Sequence, residues 1–382
     1  MYQKFIFLLF IISINGKLFS QDNSIFYTHN EIEDTNINKL YFDLKTTSFL
    51  KNNEYFDTLQ GWTGIGFLLQ PKLVYQPGPT TIVEAGYHLE KFSGRSDFYK
   101  PLLLFRIRQK LTNSLELVFG QLYGNLEHKL SEPMFRWDRY YSDNVEYGIQ
   151  FLFENKYFTN DLWINWERFI FYNDPFKEEF VLGNVSNFKY KINENWKLNV
   201  PLHYTWTHAG GQIDKHDENR GAMMSLNNIM SGLEINCNTH LKFLKSFKVS
   251  YSYYHYSAGA NPPAGQKNHQ LFDKGFGHYL KSNFDLGNIK LMLGYWHGHD
   301  YIARRGEYIF ESIFEYFPDD FIRDKTLYTL KFIYDKKIKE NIVFSVRSDV
   351  YYRPDKNSTI YSYAFYFVYN DAFLLKRIKK EY

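Results

Sequence analysis

His255, Tyr256 and Ser257 place an imidazole and a hydroxyl two residues apart, and in an extended segment such an i, i+2 pair projects from one face. A serine becomes a nucleophile only with a base in hydrogen-bond reach, so the pair could open an acyl ester. His255 and Ser257 share their face with Phe247, Val249, Tyr251 and Tyr253; any substrate must therefore come from an apolar side. The competing interpretation, a His and a Ser lodged among interfacial aromatics, is an ordinary occurrence and leads. His297 and His299, next to Asp300, form a second same-face pair. Two imidazoles can begin a metal site, but a structural site needs four ligands. With no others assignable, hydrogen bonding at a loop edge leads, and neither metal nor cofactor is expected.

A third set of polar residues alternates strictly with apolar ones. Leu103, Phe105 and Ile107 fall on one face while Arg106, Arg108 and Lys110 fall on the other. Val145, Tyr147, Ile149 and Phe151 likewise oppose Glu146 and Gln150, and Asp161, Asn165 and Glu167 share a face with Trp163. Glu116, Lys331, Arg347 and Asp349 extend the charged face to other segments. Side chains of a strand alternate between faces, so these charges converge wherever the strands close on one another. Two consequences compete. The charges brace a solvated wall by cross-strand pairing, or Arg106, Arg108 and Lys110 oppose Glu116, Glu146 and Glu167 in a transverse field that orders solutes.

The elements that must hold these residues are short alternating strands. The pattern predicts about sixteen of them, near 40–50, 61–75, 80–92, 101–111, 114–126, 144–154, 160–171, 179–193, 196–208, 227–240, 246–258, 275–287, 289–301, 325–336, 341–353 and 359–371. Short turns alternate with long connections at 127–143, 208–226, 259–274 and 302–324. An even count puts both ends on one side and every short turn with them, which requires 302–324 to be one loop rather than to hold a strand at 307–317. Such a barrel is too wide for its own side chains to fill, so a water-filled lumen is expected unless a loop folds in. The loop after His299 carries Arg304, Arg305 and Glu307, then Phe310, Phe314, Tyr316 and Phe317; covering the mouth and entering the lumen are both open to it. The loop 208–226 holds Gly210, Gly211 and Gly221 among Asp214, His216, Asp217 and Arg220, too irregular for a phosphate-binding motif.

Composition fits a chain with lipid on one side. The 33 Tyr and 36 Phe coexist with a mean hydropathy of -0.45, because in a barrel wall only alternate residues are apolar. In the last segment Tyr361, Tyr363, Phe365, Phe367 and Tyr369 occupy one face. A soluble β-sandwich would have to bury such faces on every strand. Cys237 is the single cysteine, so no internal disulfide forms, and a net charge of +3 without a basic tract argues against nucleic acid. At the N-terminus Lys4 precedes an apolar run over 5–14, with Ser20 before Gln21, which is the form of a secretory signal peptide. The expected organisation is a leader over 1–20, a short periplasmic segment over 21–39 and a transmembrane antiparallel up-and-down β-barrel over 40–382.

The stretch Gly61–Tyr75, the strand with Glu146, Gly148 and Gln150, and the strand with Asp161, Trp163, Trp166 and Glu167 resemble porin-like outer-membrane proteins of Bacteroidota. So does a composition rich in Asn, Lys, Ile, Phe and Tyr. The resemblance implies a bacterial outer-membrane barrel and assigns no site residues. Separately, His255-Tyr256-Ser257 resembles the His-x-Ser element of outer-membrane lipid A deacylases and, more distantly, of outer-membrane phospholipase A. Ala258 stands where those enzymes carry Asn, and they use smaller barrels. The expectation is a porin-like channel for passive diffusion of small hydrophilic solutes rather than an enzyme, with outer-membrane lipid as its surroundings and homo-oligomerisation open. The alternatives are a lipid hydrolase using His255 and Ser257, or a non-conducting envelope scaffold.

Overall fold

Period-2 apolar faces in consecutive segments joined by tight turns can be satisfied together by a sheet closed on itself, because closure leaves no unpaired edge. A computed structural model shows that arrangement. It describes residues 23–27, 32–55, 61–210, 213, 224–259, 271–314 and 321–378. The leader expected over 1–20 lies outside them, as do Gly211, Asp214, His216, Asp217, Arg220, Gly221, Tyr316 and Phe317. The strands are β1 (Lys39–Glu54), β2 (Trp62–Gly78), β3 (Thr81–Phe92), β4 (Tyr99–Lys110), β5 (Leu115–Gln121), β6 (Tyr147–Glu154), β7 (Phe158–Arg168), β8 (Glu179–Lys191), β9 (Trp196–Ala209), β10 (Met224–Asn238), β11 (Ser246–Ala258), β12 (Lys274–Asp285), β13 (Ile289–His299), β14 (Asp324–Lys339), β15 (Ile342–Arg353) and β16 (Ser358–Arg377). All sixteen pair antiparallel with their chain neighbours, and β1 closes on β16 from Lys39 opposite Arg377 to Glu54 opposite Tyr361.

The alternation sorts solvent from solvent. On β4, Leu103 is 63% exposed and Phe105 42%, whereas Arg106 and Arg108 are 1% exposed. An inside-out distribution of this kind, with Tyr361, Tyr363, Phe365 and Phe367 also on the outer surface, excludes the soluble sandwich, which would bury them. The tight β2–β3, β4–β5, β12–β13 and β14–β15 turns fall at one end with the start of β1 and the end of β16. By the usual arrangement of outer-membrane barrels that end is periplasmic and the long loops are extracellular. The described part of the segment expected at 307–317, residues 307–314, contributes no strand: Tyr308–Phe310 is a single 3-10 turn and Ile313 makes one isolated bridge to Phe321.

The expected strand over 114–126 is shorter than its pattern. β5 stops at Gln121 and the chain turns into the barrel. Gly120, at φ 93°, makes the bend, and a Cβ there would lie 2.3 Å from the Phe105 carbonyl oxygen. Arg106 then holds the bent backbone, its guanidinium donating to the carbonyls of Gln121 (2.7 Å) and Leu122 (2.9 Å). Gly120→Val is expected to cost at least about 1–3 kcal/mol from backbone strain alone, read as a lower unfolding temperature of the refolded barrel.

The other departures concern the lumen. Residues 23–27, expected in the periplasm, lie inside the barrel, where Phe26 is buried against Trp137, Tyr140 and Tyr366. Nor is the inner wall polar throughout. Tyr254, Tyr279, Trp296, Leu327 and Tyr351 point inward and are fully buried, because their half of the lumen is packed with protein rather than water.

Candidate functional site

Two extracellular loops fill the upper lumen. The first, residues 122–146 between β5 and β6, descends through short 3-10 turns and one helical turn, α1 (Arg139–Ser142). It begins on a side-chain clamp: the Gln150 amide accepts from Tyr123 N–H (2.9 Å), donates to Tyr123 C=O (3.1 Å) and donates to Asp161 (2.8 Å). His128 then stacks on Trp163, ring centres 3.5 Å apart, with Nδ1 2.7 Å from Asp161 and Nε2 3.0 Å from Glu146. Burial opposes a charge on this ring, but the two carboxylates outweigh it and raise the His128 pKa to about 9. On the opposite wall Asp138 accepts from Asn53 (2.9 Å) and Trp62 (3.3 Å), and the Tyr140 hydroxyl donates to Thr47 (3.0 Å). The loop therefore spans the lumen from β7 to β1.

The second loop, 300–314 as described, enters from β13 and packs Tyr301, Ile309 and Phe310 against Trp296, Tyr279 and Tyr351. Trp296 lies across Gly277, where a Cβ would meet its ring at 2.1 Å. The loops also bind one another. Arg136 N–H donates to Arg305 C=O (2.6 Å) and Glu307 N–H to Glu132 C=O (2.9 Å). The Arg305 guanidinium, buried, reaches Glu146 at 2.6 Å and pairs with Glu167, which also accepts from Arg139 at 2.8 Å. Glu132 pairs with Lys331, and Lys331 lies 3.3 Å from Asp349. Burial pushes the Glu146 pKa up, but the attraction of Arg305 and His128 outweighs it and lowers the value to about 2. Glu307 moves the other way, to about 7, first because it is buried and second because Asp138 is near.

The inward set read from the sequence is thus present but differently partnered. Arg106 pairs with Glu84 at 3.2 Å, Arg108 with its strand neighbour Glu116 at 2.5 Å, and Lys110 donates to the Ile32 carbonyl at 3.0 Å. Glu146, Asp161 and Glu167 answer to loop cations instead of to that ladder. Arg347 donates to Asn23 at 2.6 Å, fixing the N-terminal segment. Four residues beyond the expected set obey the same alternation: Asp43, Lys72 and Glu84 continue the ladder, with Lys72 at 3.3 and 2.9 Å from its two carboxylates, and Glu90 lies further up β3. Parity alone could have found them. His128 and Arg305 carry no such signal because they sit on loops.

Below the loops the lumen opens. A cavity of about 410 Å³, lined by Tyr27, Lys110, Glu116, Tyr123, Lys129 and Asp161 among others, reaches the Thr112–Ser114 turn at the periplasmic rim. Between the loops and the wall the space narrows to pockets of about 60 and 40 Å³, room for a few waters each.

His255 and Ser257 are partly exposed on the outer face of β11, opposite Phe276 and Lys274 of β12. His297 and His299 also face outward, and their Nδ1 atoms lie 3.3 Å from Thr326 and 2.7 Å from Asp324. No group of three or more metal-ligating side chains occurs among the described residues.

The model of the lipid A 3'-O-deacylase-type family matches residues 32–378, from just before β1 to the end of β16. The chain belongs to this lipid A 3'-O-deacylase-type family. No curated protein matches it. Among solved structures, this family member is similar to OccK9 (OpdG) of Pseudomonas aeruginosa, with 13% identity over 90% of this chain and 100% of that one and a TM-score of 0.52. It is similar to the outer membrane protein OprD of the same organism, with 11% identity over 91% and 98% and a TM-score of 0.51. OccAB3 of Acinetobacter baumannii gives 14% over 87% and 99%, with a TM-score of 0.50. At these identities the likeness shows the fold alone, a porin-like barrel.

Proposed function

We propose that this protein is an outer-membrane channel for small hydrophilic solutes whose conductance is set by the meeting of loops 122–146 and 300–314 in the lumen. The observation that carries the proposal is the asymmetric lumen: a polar vestibule of about 410 Å³ below, and two loops joined by Arg305 above. A purely structural barrel has no use for a polar cavity that reaches its periplasmic rim, whereas a selective channel needs a vestibule and a short constriction. Arg305 and Lys331 at the constriction are each paired with carboxylates, so it favours small polar solutes over ions of either sign. Planar-bilayer recording tests the proposal. Small, steady unit currents are expected, and a complete absence of current at every voltage would contradict it.

A second reading is an outer-membrane acyl-lipid hydrolase, favoured by membership of the deacylase-type family and by the outward position of both His255 and Ser257. In that reading Ser257 attacks the acyl carbonyl as His255 takes its proton, the ester C–O bond breaks with His255 returning that proton to the leaving alcohol, and a water deprotonated by His255 then releases the fatty acid from Ser257. Its test is fatty-acid release from lipid A or phospholipid in mixed micelles. Release that falls at least about a hundredfold in Ser257→Ala, a loss of the size expected for a catalytic proton-transfer partner or its nucleophile, would establish it; no release by the unaltered protein would dismiss it.

A further inference from the structure

Residues 23–27 form a single 3-10 turn that closes on itself, Phe26 N–H donating to Asn23 C=O (2.9 Å) and Tyr27 N–H to Ser24 C=O (3.1 Å). The turn joins no strand of the barrel; side chains of the wall and of the first loop make its seat. Phe26 is the anchor, its ring centre 5.5 Å from Trp137, 5.1 Å from Tyr140 and 5.0 Å from Tyr366, each met edge-on. Two wall cations complete the seat. Arg347 of β15 donates to the Asn23 side-chain oxygen at 2.6 Å, and its guanidinium lies 4.8 Å from the Phe26 ring and 5.3 Å from the Trp137 ring. Lys45 of β1 donates to the Phe26 carbonyl. Gripping a main-chain group while a pocket takes one side chain is a common way for a protein to hold a peptide. Here the peptide is the chain's own.

The turn is also a partition. Tyr27 borders both the vestibule of about 410 Å³ and the pocket of about 60 Å³ beneath the loops, Asn23 borders the latter, and Phe26 borders the pocket of about 40 Å³. Trp137 and Tyr140 belong to loop 122–146, so the turn props that loop from below, and Lys129 of the same loop lies 5.8 Å from the Tyr27 ring. Its attachment is lower, at the periplasmic rim. There Lys110 donates to Ile32 C=O at 3.0 Å, Gln76 donates to Glu33 C=O at 2.8 Å, and Ile32 is buried with Val74 and Ile82. A segment fixed at the rim and seated above it by side chains can leave without opening any strand pair, and segments outside the hydrogen-bonded framework are those that open first.

We propose that residues 23–27 are a releasable plug: Trp137, Tyr140, Tyr366, Arg347 and Lys45 form a peptide site that the chain's own N-terminal turn occupies, separating the vestibule from the loop constriction. Only the electrical consequence rests on the channel reading; the seat requires neither conduction nor chemistry at Ser257. Release of the turn leaves loop 122–146 without its support, so entry from the periplasm and loosening of that loop go together.

The test is binding of a synthetic peptide of residues 21–33, carrying a fluorophore at its C-terminus, to the purified full chain in detergent, followed by fluorescence anisotropy. In the unaltered protein the tethered turn competes at an effective concentration on the order of millimolar and should keep the peptide out. Asn23→Ala with Phe26→Ala removes the anchor ring and the Arg347 acceptor and touches no strand. That variant, and to a lesser degree Phe26→Ala alone, should bind the peptide at least about tenfold tighter than the unaltered protein does. A peptide carrying Phe26→Ala should bind roughly thirtyfold more weakly, the loss expected for an anchor side chain. In planar bilayers the double variant should pass a larger unit current, which the peptide lowers from the periplasmic side. Equal binding by the unaltered protein, no binding by either variant, indifference to the peptide's Phe26, or a current through the variant that the bound peptide leaves unchanged would each overturn the plug. Absence of current in every form would count against the channel reading, and the anisotropy would still decide whether the seat exists.

Discussion

Arg305→Ala is expected to open the lumen and to destabilise the barrel together. The guanidinium is buried, neutralises Glu146 and Glu167, and ties the 300–314 loop to the wall through both. Removing one partner of a buried ionic cluster typically costs about 3–5 kcal/mol, because the carboxylates left behind have no water to turn to. Here much of that cost can be relieved by undocking, since water enters as the loop leaves. Unit conductance in planar bilayers should rise several-fold, and the unfolding temperature should fall. If the vestibule already communicated freely with the outside, conductance would stay the same while stability alone dropped.

The second large effect is that of pH, and it acts through three loop groups. Glu307 accepts a hydrogen bond from Trp137 N–H and lies among Asp138, Arg136, Lys331 and Lys51. Its pKa is raised from 4.5 to about 7 in the docked arrangement. Stability from this group is therefore complete below pH 4.5 and is lost as pH rises through 7, a change of about 3 kcal/mol at order-of-magnitude level. His128, raised from 6.5 to about 9, has the same sign: its contribution is complete below 6.5 and disappears as pH passes 9. Glu146 is depressed from 4.5 to about 2, so its contribution holds above 4.5 and is lost only as pH falls through 2. The docked loops should be most secure near pH 4.5. Current through the channel should climb from there to pH 9, in two steps. Glu307→Gln should abolish the lower step and leave the upper, and His128→Gln the reverse. A current flat from pH 4.5 to 9 in the unaltered protein would count against docking by these groups.

Strand positions were legible because lipid enforces the alternation: Leu103 and Phe105 against Arg106 and Arg108 leave no other register for β4. The end of β5 was not, because residues 122–126 keep the look of a strand while Gly120 has already turned the chain inward. Alternation also cannot separate two aromatic faces. Around Tyr253 and Tyr254, both sides of β11 carry tyrosine, one for lipid and one for the packed lumen. The inward charges were placed on the correct face by parity, yet their partners were not readable. Glu146 and Glu167 find Arg305 from a loop more than 130 residues away, and nothing local in the chain marks that meeting. The aromatic richness of the loop from Tyr308 to Phe314 was the one hint that it required a protein surface to cover it.

The most direct test of a lumen closed from outside is polymer exclusion in a single oriented channel. Polyethylene glycols of graded size, added to either side of the bilayer, report how far each can enter. Small polymers should depress the current from the periplasmic side, where the vestibule opens, and should have no effect from the extracellular side until Arg305→Ala frees the loops. Equal access from both sides in the unaltered protein would contradict a lumen closed from outside.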